Sequence, residues 1–531
     1  MEIKFYLCRY SIIYLLISIA SVKSINNSSH NEDSSLKGLF NETRNSPLFN
    51  ETIGTLKIIT PTNDNETNNK ESCAVRSIHD FPDDLFSRYE RQQGAVILHA
   101  FFGFYCFLLT AFICNDYLLP ALDCICADLN ISADVAGATF LATASCFPEL
   151  FVNVVGTFLT ESDLGTGAVV GSAVFNTFVT PACGALSAAE AIHLKWGILT
   201  RDCIIYIISV SCLVIIMWDG VVTWYEASIL LLLFAGYFSI LFFSGRISRL
   251  FTSFAKKPRL SSDKSIDKKK HDVMPHGTYK PFFHGELVIE YRNSLVKTAN
   301  FKAAVNGEIP HSLKEPLEVY VEPETIFTWP RNSTLAQFWF LFTWPLRFIL
   351  FLTIPDTRYH RFRNWYPGTF IMCVIWIAVA SYLVSWMTTV VGDTLGIPDS
   401  VMGITFLSAG GNMPELVSIV ILSKRNHGDM AMSNTLGANT LDILFCLGLP
   451  WTIKVLLSGK NVQIQSGAIA YSVLAIIICV VGFYAVTAYY GFKLNKKVGL
   501  ACLVMYTIYL VIAILLELNT FFFVNWPMCD D

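Results

Sequence analysis

The chain has 531 residues, of which 53% are hydrophobic and only 15% charged. With long apolar runs, that balance excludes an ordinary soluble enzyme and places the chain in the membrane class. The formal net charge of −4 carries no nucleic-acid signal, and the 15 cysteines sit mostly inside apolar spans, with no CxxC pair and no His/Cys spacing suited to zinc.

In chain order, Lys4 and Arg9 precede an apolar run from Ile12 to Ala20, so residues 1–24 read as a signal peptide. Residues 25–94 are polar and carry Asn-x-Ser/Thr acceptors at Asn26, Asn27, Asn41, Asn50 and Asn65, as expected of an extracellular, glycosylated segment. Spans long enough to cross ~30 Å of hydrocarbon follow at 95–118, 135–160, 167–192, 202–218 and 225–244, making a first membrane half over 95–244. Residues 245–366 form a basic loop that includes Lys256-Lys257 and Lys268-Lys269-Lys270, and Lys and Arg mark the cytoplasmic face. A second membrane half, 367–523, contains spans at 367–390, 400–422, 431–456, 466–488 and 499–523, and residues 524–531 form an extracellular tail.

One apolar stretch, 336–354, is long enough to span, yet Pro345 and Arg347 interrupt it and Arg331, Arg358, Arg361 and Arg363 flank it. It reads as an interfacial or re-entrant segment. With it set aside, five spans enter each half and the halves have opposite orientations. The expected fold class is therefore an all-α polytopic membrane protein of two inverted five-helix repeats, about ten spans, around a cytoplasmic central loop. Cys73 in the exported segment and Cys529 near the C-terminus fall on the same face, where an external disulfide is allowed.

One motif is written twice. Residues 138–178 and 404–444 align without a gap at an offset of 266 positions, pairing Pro148-Glu149 with Pro414-Glu415, Asp163 with Asp429, Gly171 with Gly437 and Asn176 with Asp442. A carboxylate at membrane depth costs about 2.5–3.5 kcal/mol on insertion scales, so a pair in matching halves points to function. The arrangement suits a transporter with its ion site at the repeat interface. Pro148 and Pro414 are read as helix breaks, tolerated where the freed backbone groups face protein, water or a ligand. Glu149 and Glu415 would be the anionic ligands of a cation such as Ca²⁺, which takes six to eight oxygens. Asn176 and Asp442 add hard oxygen donors at the same 27-residue offset from each glutamate. Ser172 lies one helical turn before Asn176, its counterpart is Ala438, and Asn439 supplies a further amide. Asp163 and Asp429 are expected to cap the helices that follow them. Gly165-Thr-Gly167-Ala-Val-Val-Gly171 has one residue too many for a dinucleotide fingerprint and reads as a close-packing helix face.

The segments Asp134-Val-Ala-Gly-Ala-Thr-Phe, Pro148-Glu149-Leu-Phe and Gly171-Ser-Ala-Val-Phe-Asn176 resemble the first alpha-repeat of potassium-dependent sodium/calcium exchangers. Met402-Gly-Ile-Thr-Phe-Leu, Gly428-Asp-Met-Ala and Ser433-Asn through Asp442-Ile-Leu to Trp451 resemble the second. The likeness extends to Phe81-Pro-Asp-Asp-Leu-Phe, to Arg91-Gln-Gln-Gly-Ala-Val-Ile-Leu-His and to Phe523-Val-Asn-Trp-Pro-Met-Cys529. The resemblance implies a secondary-active antiporter, with no enzymatic activity and no cofactor, that extrudes Ca²⁺ with K⁺ in exchange for Na⁺ by alternating access. Its partners are then inorganic cations and the lipid bilayer, with no nucleic acid, and its location a plasma membrane with both termini outside. By the same resemblance the glutamates would bind Ca²⁺ and Na⁺ in turn, and Asp442 would be the potassium determinant.

The chain departs from that pattern at the site itself. Ala144-Ser145-Cys146-Phe147 and Gly410-Gly411-Asn412-Met413 stand where the family commonly has Gly and small hydroxyl residues, and Ser145 keeps a hydroxyl. Glu415 replaces a usual Asp and Ala438 a usual Ser. The alternative reading is a diverged exchanger-fold protein with altered ion selectivity or without coupled transport.

Overall fold

The structure is a computed structural model that describes residues 77–129, 142–188, 191–194, 196–255, 327–330, 334–424, 428–464 and 466–521. The signal peptide, the five glycosylation acceptors, Cys73, Cys529 and most of the central loop lie outside the described residues.

Apolar sequence without interior breakers gives long helices, and breakers at matching places give matching interruptions. In the first half, α1 (Arg88–Cys126) is followed by the short α2 (Ala142–Ser145), α3 (Phe147–Phe158), α4 (Leu164–Ser187), α5 (Trp196–Met217) and α6 (Trp224–Ala255). A further helix, α7 (Thr334–Thr353), precedes the second half. There α8 (Tyr366–Leu395), α9 (399–411), α10 (Met413–Lys424), α11 (428–458), α12 (Gly467–Tyr489) and α13 (Lys496–Glu517) repeat the order of the first. Eight helices among the described residues are long and apolar enough to cross a membrane, and Phe147–Phe158 and Trp224–Ile240 are shorter apolar segments. Exposed Ile204, Ile208, Ile215, Ile371, Ile478 and Leu500 give the spans an apolar outer surface, as lipid requires.

Two small sheets record the repeat directly. Strand β1 (Ile192–His193), between α4 and α5, pairs antiparallel with β4 (Lys493–Leu494), between α12 and α13. Strand β2 (Val221–Val222), between α5 and α6, pairs with β3 (Val462–Gln463), between α11 and α12. Exchanging the halves converts one sheet into the other, and each successive connection lies at the opposite end of a helix. The relation is therefore a two-fold that inverts one half against the other. Helices α1 and α8 agree: Arg91 near the start of α1 meets Asp393 near the end of α8 at 3.3 Å, so the two run antiparallel.

The segment expected to be interfacial or re-entrant is one continuous helix of spanning length, α7. It runs alongside α1 in the same direction. The Tyr105 hydroxyl donates to the Phe342 carbonyl at 3.2 Å, the Arg347 guanidinium lies 4.9 Å from the centre of the Phe112 ring, and Arg358 beyond the helix reaches Asp116. Seating Arg347 on an aromatic face lets an apolar helix carry it. Because α1 and α8 are antiparallel, the halves are opposed however α7 is counted.

The core gathers on α4, whose central window is 89% buried, more than in any other candidate span. Its glycines allow backbone contact with α9: a Cβ on Gly167 would fall 2.8 Å from the Ser400 carbonyl oxygen, and one on Gly403 would fall 2.6 Å from that of Leu164. The glycine run is thus a close-packing face. The expected cap at Asp163 takes another form. Asp163 is the N-cap residue of α4, but its side chain makes no capping bond there. Its carboxylate accepts the backbone N–H of Ser466, which opens α12, so it ties the start of α4 to a helix of the other half.

Candidate ion-binding site

The two interruptions lie at Cys146 and Asn412. Helix α2 stops at Ser145 and α3 begins at Phe147; α9 stops at Gly411 and α10 begins at Met413. Pro148 and Pro414 thus stand in the first turn of a restarted helix, where a missing N–H costs no helical bond. The glutamates follow immediately, in the first turns of α3 and α10, and the N-terminal end of a helix favours negative charge.

Both glutamates point inward. Glu149 and Glu415 are 4% and 5% exposed, too enclosed for water to solvate them. The Oε2 atoms of Glu149 and Glu415 and the Oδ1 atom of Asn439 are buried with no hydrogen-bond partner. Buried polar atoms ordinarily find partners. Three orphaned oxygens, all acceptors, on helices that meet at the repeat interface are what a cation site provides. Asp442 is also buried, and its charge reaches both glutamates.

The amides and hydroxyls make a chain across the interface of the halves. Asn176 Nδ2 donates to Asn412 Oδ1 at 2.6 Å, and Asn412 Nδ2 donates to Ser172 Oγ at 2.7 Å and to the Ser408 carbonyl at 2.6 Å. Ser172 Oγ lies 3.4 Å from Glu149 Oε1, and Thr180 Oγ1 donates to Asn176 Oδ1 at 2.9 Å. Asn439 uses its amide on Ala173 and Thr177 of α4, at 3.2 and 3.4 Å, which leaves its oxygen for the site. The other limb carries sulfur. Cys446 donates to the Asp442 carboxylate at 3.7 Å, Cys146 donates to the Ala142 carbonyl at 2.9 Å, and the ligand atoms of Cys146, Asp442 and Cys446 lie within 4.8 Å of one another. A pocket lined by Phe107, Thr110, Glu149, Ser172, Ser381 and Gly411 reaches the Glu149 carboxylate from the side of α1 and α8.

The repeat offset explains how the hydroxyls are shared. Ser145 corresponds to Gly411, and Ser172 to Ala438. Ser172 donates its hydroxyl towards Glu149, whereas the Ser145 hydroxyl donates to the Ala142 carbonyl of its own helix at 3.0 Å. A Cβ on Gly411 would lie 3.1 Å from Glu149 Oε1, where a second hydroxyl would have touched it. Of the two pairs of repeat-related positions, each has kept one hydroxyl, Ser145 on α2 and Ser172 on α4.

Glu149, Glu415, Asn176, Asp442, Ser145, Ser172 and Asn439 all lie in this buried region, Ser145 at its partly open edge. Asn412 is the residue sequence reasoning did not assign: counted only as a departure from a familiar pattern, it is fully buried and joins Asn176, Ser172 and Ser408. The signal was its position, paired with Cys146 at the break point of both copies. Bulky Phe147 does not crowd the ligands; its ring packs edge-on against Phe370 of α8, with centroids 6.1 Å apart.

A family model described as "Sodium/calcium exchanger protein" matches residues 99–243 and 365–515, more than half of the chain. The chain belongs to this family. It is 34% identical to mouse (Mus musculus) sodium/potassium/calcium exchanger 4, over 87% of this chain and 88% of that one. Human (Homo sapiens) sodium/potassium/calcium exchangers 3 and 5 are each 32% identical, covering 87% and 85% of this chain and 87% and 90% of their own lengths. Among solved structures, the sodium-calcium exchanger NCX_Mj is similar at 17% identity and a TM-score of 0.42, over 78% of this chain and 98% of that one. The matched residues stop short of the N-terminal segment and skip most of the central loop, so the family likeness is carried by the two membrane halves. The chain is a multi-pass helical membrane protein of the exchanger class, an antiporter.

Proposed function

We propose that this exchanger moves Ca²⁺ together with K⁺ against Na⁺, with Glu149, Glu415 and Asp442 as the charged ligands of one shared site. The observation that carries the reading is the trio of buried acids at the meeting of two broken helices, with orphaned oxygens on Glu149 and Glu415. Three negative charges are balanced by one Ca²⁺ and one K⁺, and an unbalanced charge in a buried site is costly. Hard oxygens of carboxylate, amide and hydroxyl suit all three ions. Asp442 is the acid with no acidic partner under the repeat, its counterpart being Asn176. That asymmetry makes it the residue that asks for K⁺. The names of the relatives, sodium/potassium/calcium exchangers, support the same set of ions.

The two inverted halves give alternating access a mechanical basis: the same packing with the halves exchanged opens the site to the other face. The basic start of the central loop, with Lys256-Lys257 and Lys268-Lys269-Lys270, lies in the cytoplasm by its Lys content. The termini are then outside and the working membrane is the plasma membrane. The test is Ca²⁺ uptake into vesicles driven by an outward Na⁺ gradient, with and without K⁺. Wild type is expected to require both the gradient and K⁺, and Asp442→Asn to carry Ca²⁺ with the K⁺ requirement lost. No gradient-driven uptake from correctly inserted protein would sink the exchanger reading; unchanged K⁺ dependence in Asp442→Asn would remove the role of Asp442 alone.

A further inference from the structure

Under the repeat, the Cys146–Asp442–Cys446 cluster corresponds to Asn412–Asn176–Thr180. The hydrogen bonds correspond too: Thr180 donates to Asn176 on one limb, and Cys446 donates to Asp442 on the other. One frame therefore holds oxygen and nitrogen donors on one side, and two thiols around a carboxylate on the other. Calcium, sodium and potassium gain nothing from thiols, because sulfur is a soft ligand.

We propose that Cys146, Cys446 and Asp442 form a binding site for a soft or borderline divalent cation, of the class of Zn²⁺ and Cd²⁺, on the Asp442 limb of the transport site. Three observations carry it. The ligand atoms already lie within 4.8 Å of one another, with the Cys446–Asp442 pair at 3.7 Å. A tetrahedral zinc shell with Zn–S near 2.3 Å and Zn–O near 2.0–2.2 Å sets its ligand atoms about 3.4–3.8 Å apart, so a small closing movement completes it. The backbone is suited to that movement, since 442–447 is a π-helical turn that carries two of the three ligands. Last, all three ligands are buried, so the ion would be enclosed on arrival. Binding displaces the two thiol protons to water and leaves two thiolates and one carboxylate on the metal. Three protein ligands leave a fourth position open for water.

The consequence for transport rests on the exchanger reading above: an ion held by Asp442 withholds that carboxylate from K⁺, so Cd²⁺ or Zn²⁺ would block exchange. The binding itself does not rest on it. The experiment therefore titrates Cd²⁺ into purified full-length protein at equilibrium, with no gradient, and follows the ultraviolet thiolate-to-Cd²⁺ charge-transfer band. One equivalent is expected to raise the band, and excess Ca²⁺ is expected to compete poorly. Cys146→Ser and Cys446→Ser should each lower the band and weaken Cd²⁺ by more than about 100-fold, since even outer-shell changes at metal sites cost 10–100-fold. X-ray absorption of Cd²⁺-loaded wild type, which needs no variant to fold, should show two sulfur neighbours. An oxygen-only shell, or a band unchanged in both serine variants, overturns the proposal. Two sulfur neighbours in a protein that performs no Na⁺-driven Ca²⁺ uptake would uphold the metal site while refuting the transport reading.

Discussion

The two limbs of the site share one backbone frame and differ in what fills it. On the limb of Asn176, polar atoms are paired into a continuous chain: Thr180 to Asn176 to Asn412 to Ser172, ending at Glu149. On the limb of Asp442 the same positions hold a carboxylate between two thiols, and Ala438 offers no hydroxyl to Glu415. The first limb is neutral apart from its glutamate. The second concentrates two acids, Glu415 and Asp442. Duplication supplied the geometry, and later substitution made the halves unequal in charge. A symmetric frame can therefore bind unlike ions side by side without new architecture.

The sharpest way to break the comparison is to neutralise each glutamate in turn. Contacts to charged groups are worth about 1.5–3 kcal/mol, so Glu149→Gln and Glu415→Gln should each weaken Ca²⁺ by about 10–100-fold. The half-saturating Ca²⁺ concentration in Na⁺-driven uptake measures this. If the limbs are equivalent in their glutamates, the two losses match within a few-fold. Uptake untouched in one and abolished in the other would mean that one half of the motif has left the site.

The next effect belongs to the neutral limb. Asn412→Ala removes the amide that joins Asn176 to Ser172, leaving buried polar groups without partners. A buried group so stranded costs about 1–3 kcal/mol. The variant should unfold at a lower temperature in detergent and bind Na⁺ and Ca²⁺ less tightly, while Asp442-dependent K⁺ activation keeps its concentration dependence. A shift in K⁺ activation as large as the shift in Ca²⁺ would show that the limbs are not separable.

The strongest sequence signals here were covalent and periodic ones. Apolar runs gave the long helices of the two halves, because a helix is the economical way to satisfy backbone groups in lipid. The gapless offset of 266 positions gave the pairing of Glu149 with Glu415 and of Asn176 with Asp442. What escaped is what depends on contact across the halves. Asn412 reads as a departure in one dimension and becomes a hub only when α4 packs against α9 and α10. The side chain of Asp163 has the spacing of a cap for α4 and is used instead on Ser466, some 300 residues away. The segment 336–354 has a proline and an arginine that argue against a span, yet Phe112 supplies Arg347 with an aromatic seat that no local pattern announces.

The smallest expected effect sharpens the comparison most directly, because it restores symmetry instead of removing it. Gly411→Ser places beside Glu149 the hydroxyl that its repeat partner Ser145 carries, and Ala438→Ser offers Glu415 the hydroxyl that Ser172 offers Glu149. A hydrogen bond gained in this way contributes about 0.5–1.5 kcal/mol, or about 2–10-fold in affinity. The two changes are not equally easy. Ala438 already carries a Cβ, so its serine adds one oxygen to an existing side chain. At Gly411 the new Cβ would lie 3.1 Å from Glu149 Oε1, so the carboxylate must give by a few tenths of an ångström. Ala438→Ser is therefore expected to tighten Na⁺ by a few-fold with transport rate preserved. Gly411→Ser should tighten it less, and the double variant should approach the product of the two. Half-saturating Na⁺ for Ca²⁺ release from loaded vesicles reports both. If Ala438→Ser leaves Na⁺ affinity unchanged while Gly411→Ser improves it, the hydroxyls serve the glutamates by some route other than the two-fold exchange of Ser145 and Ser172.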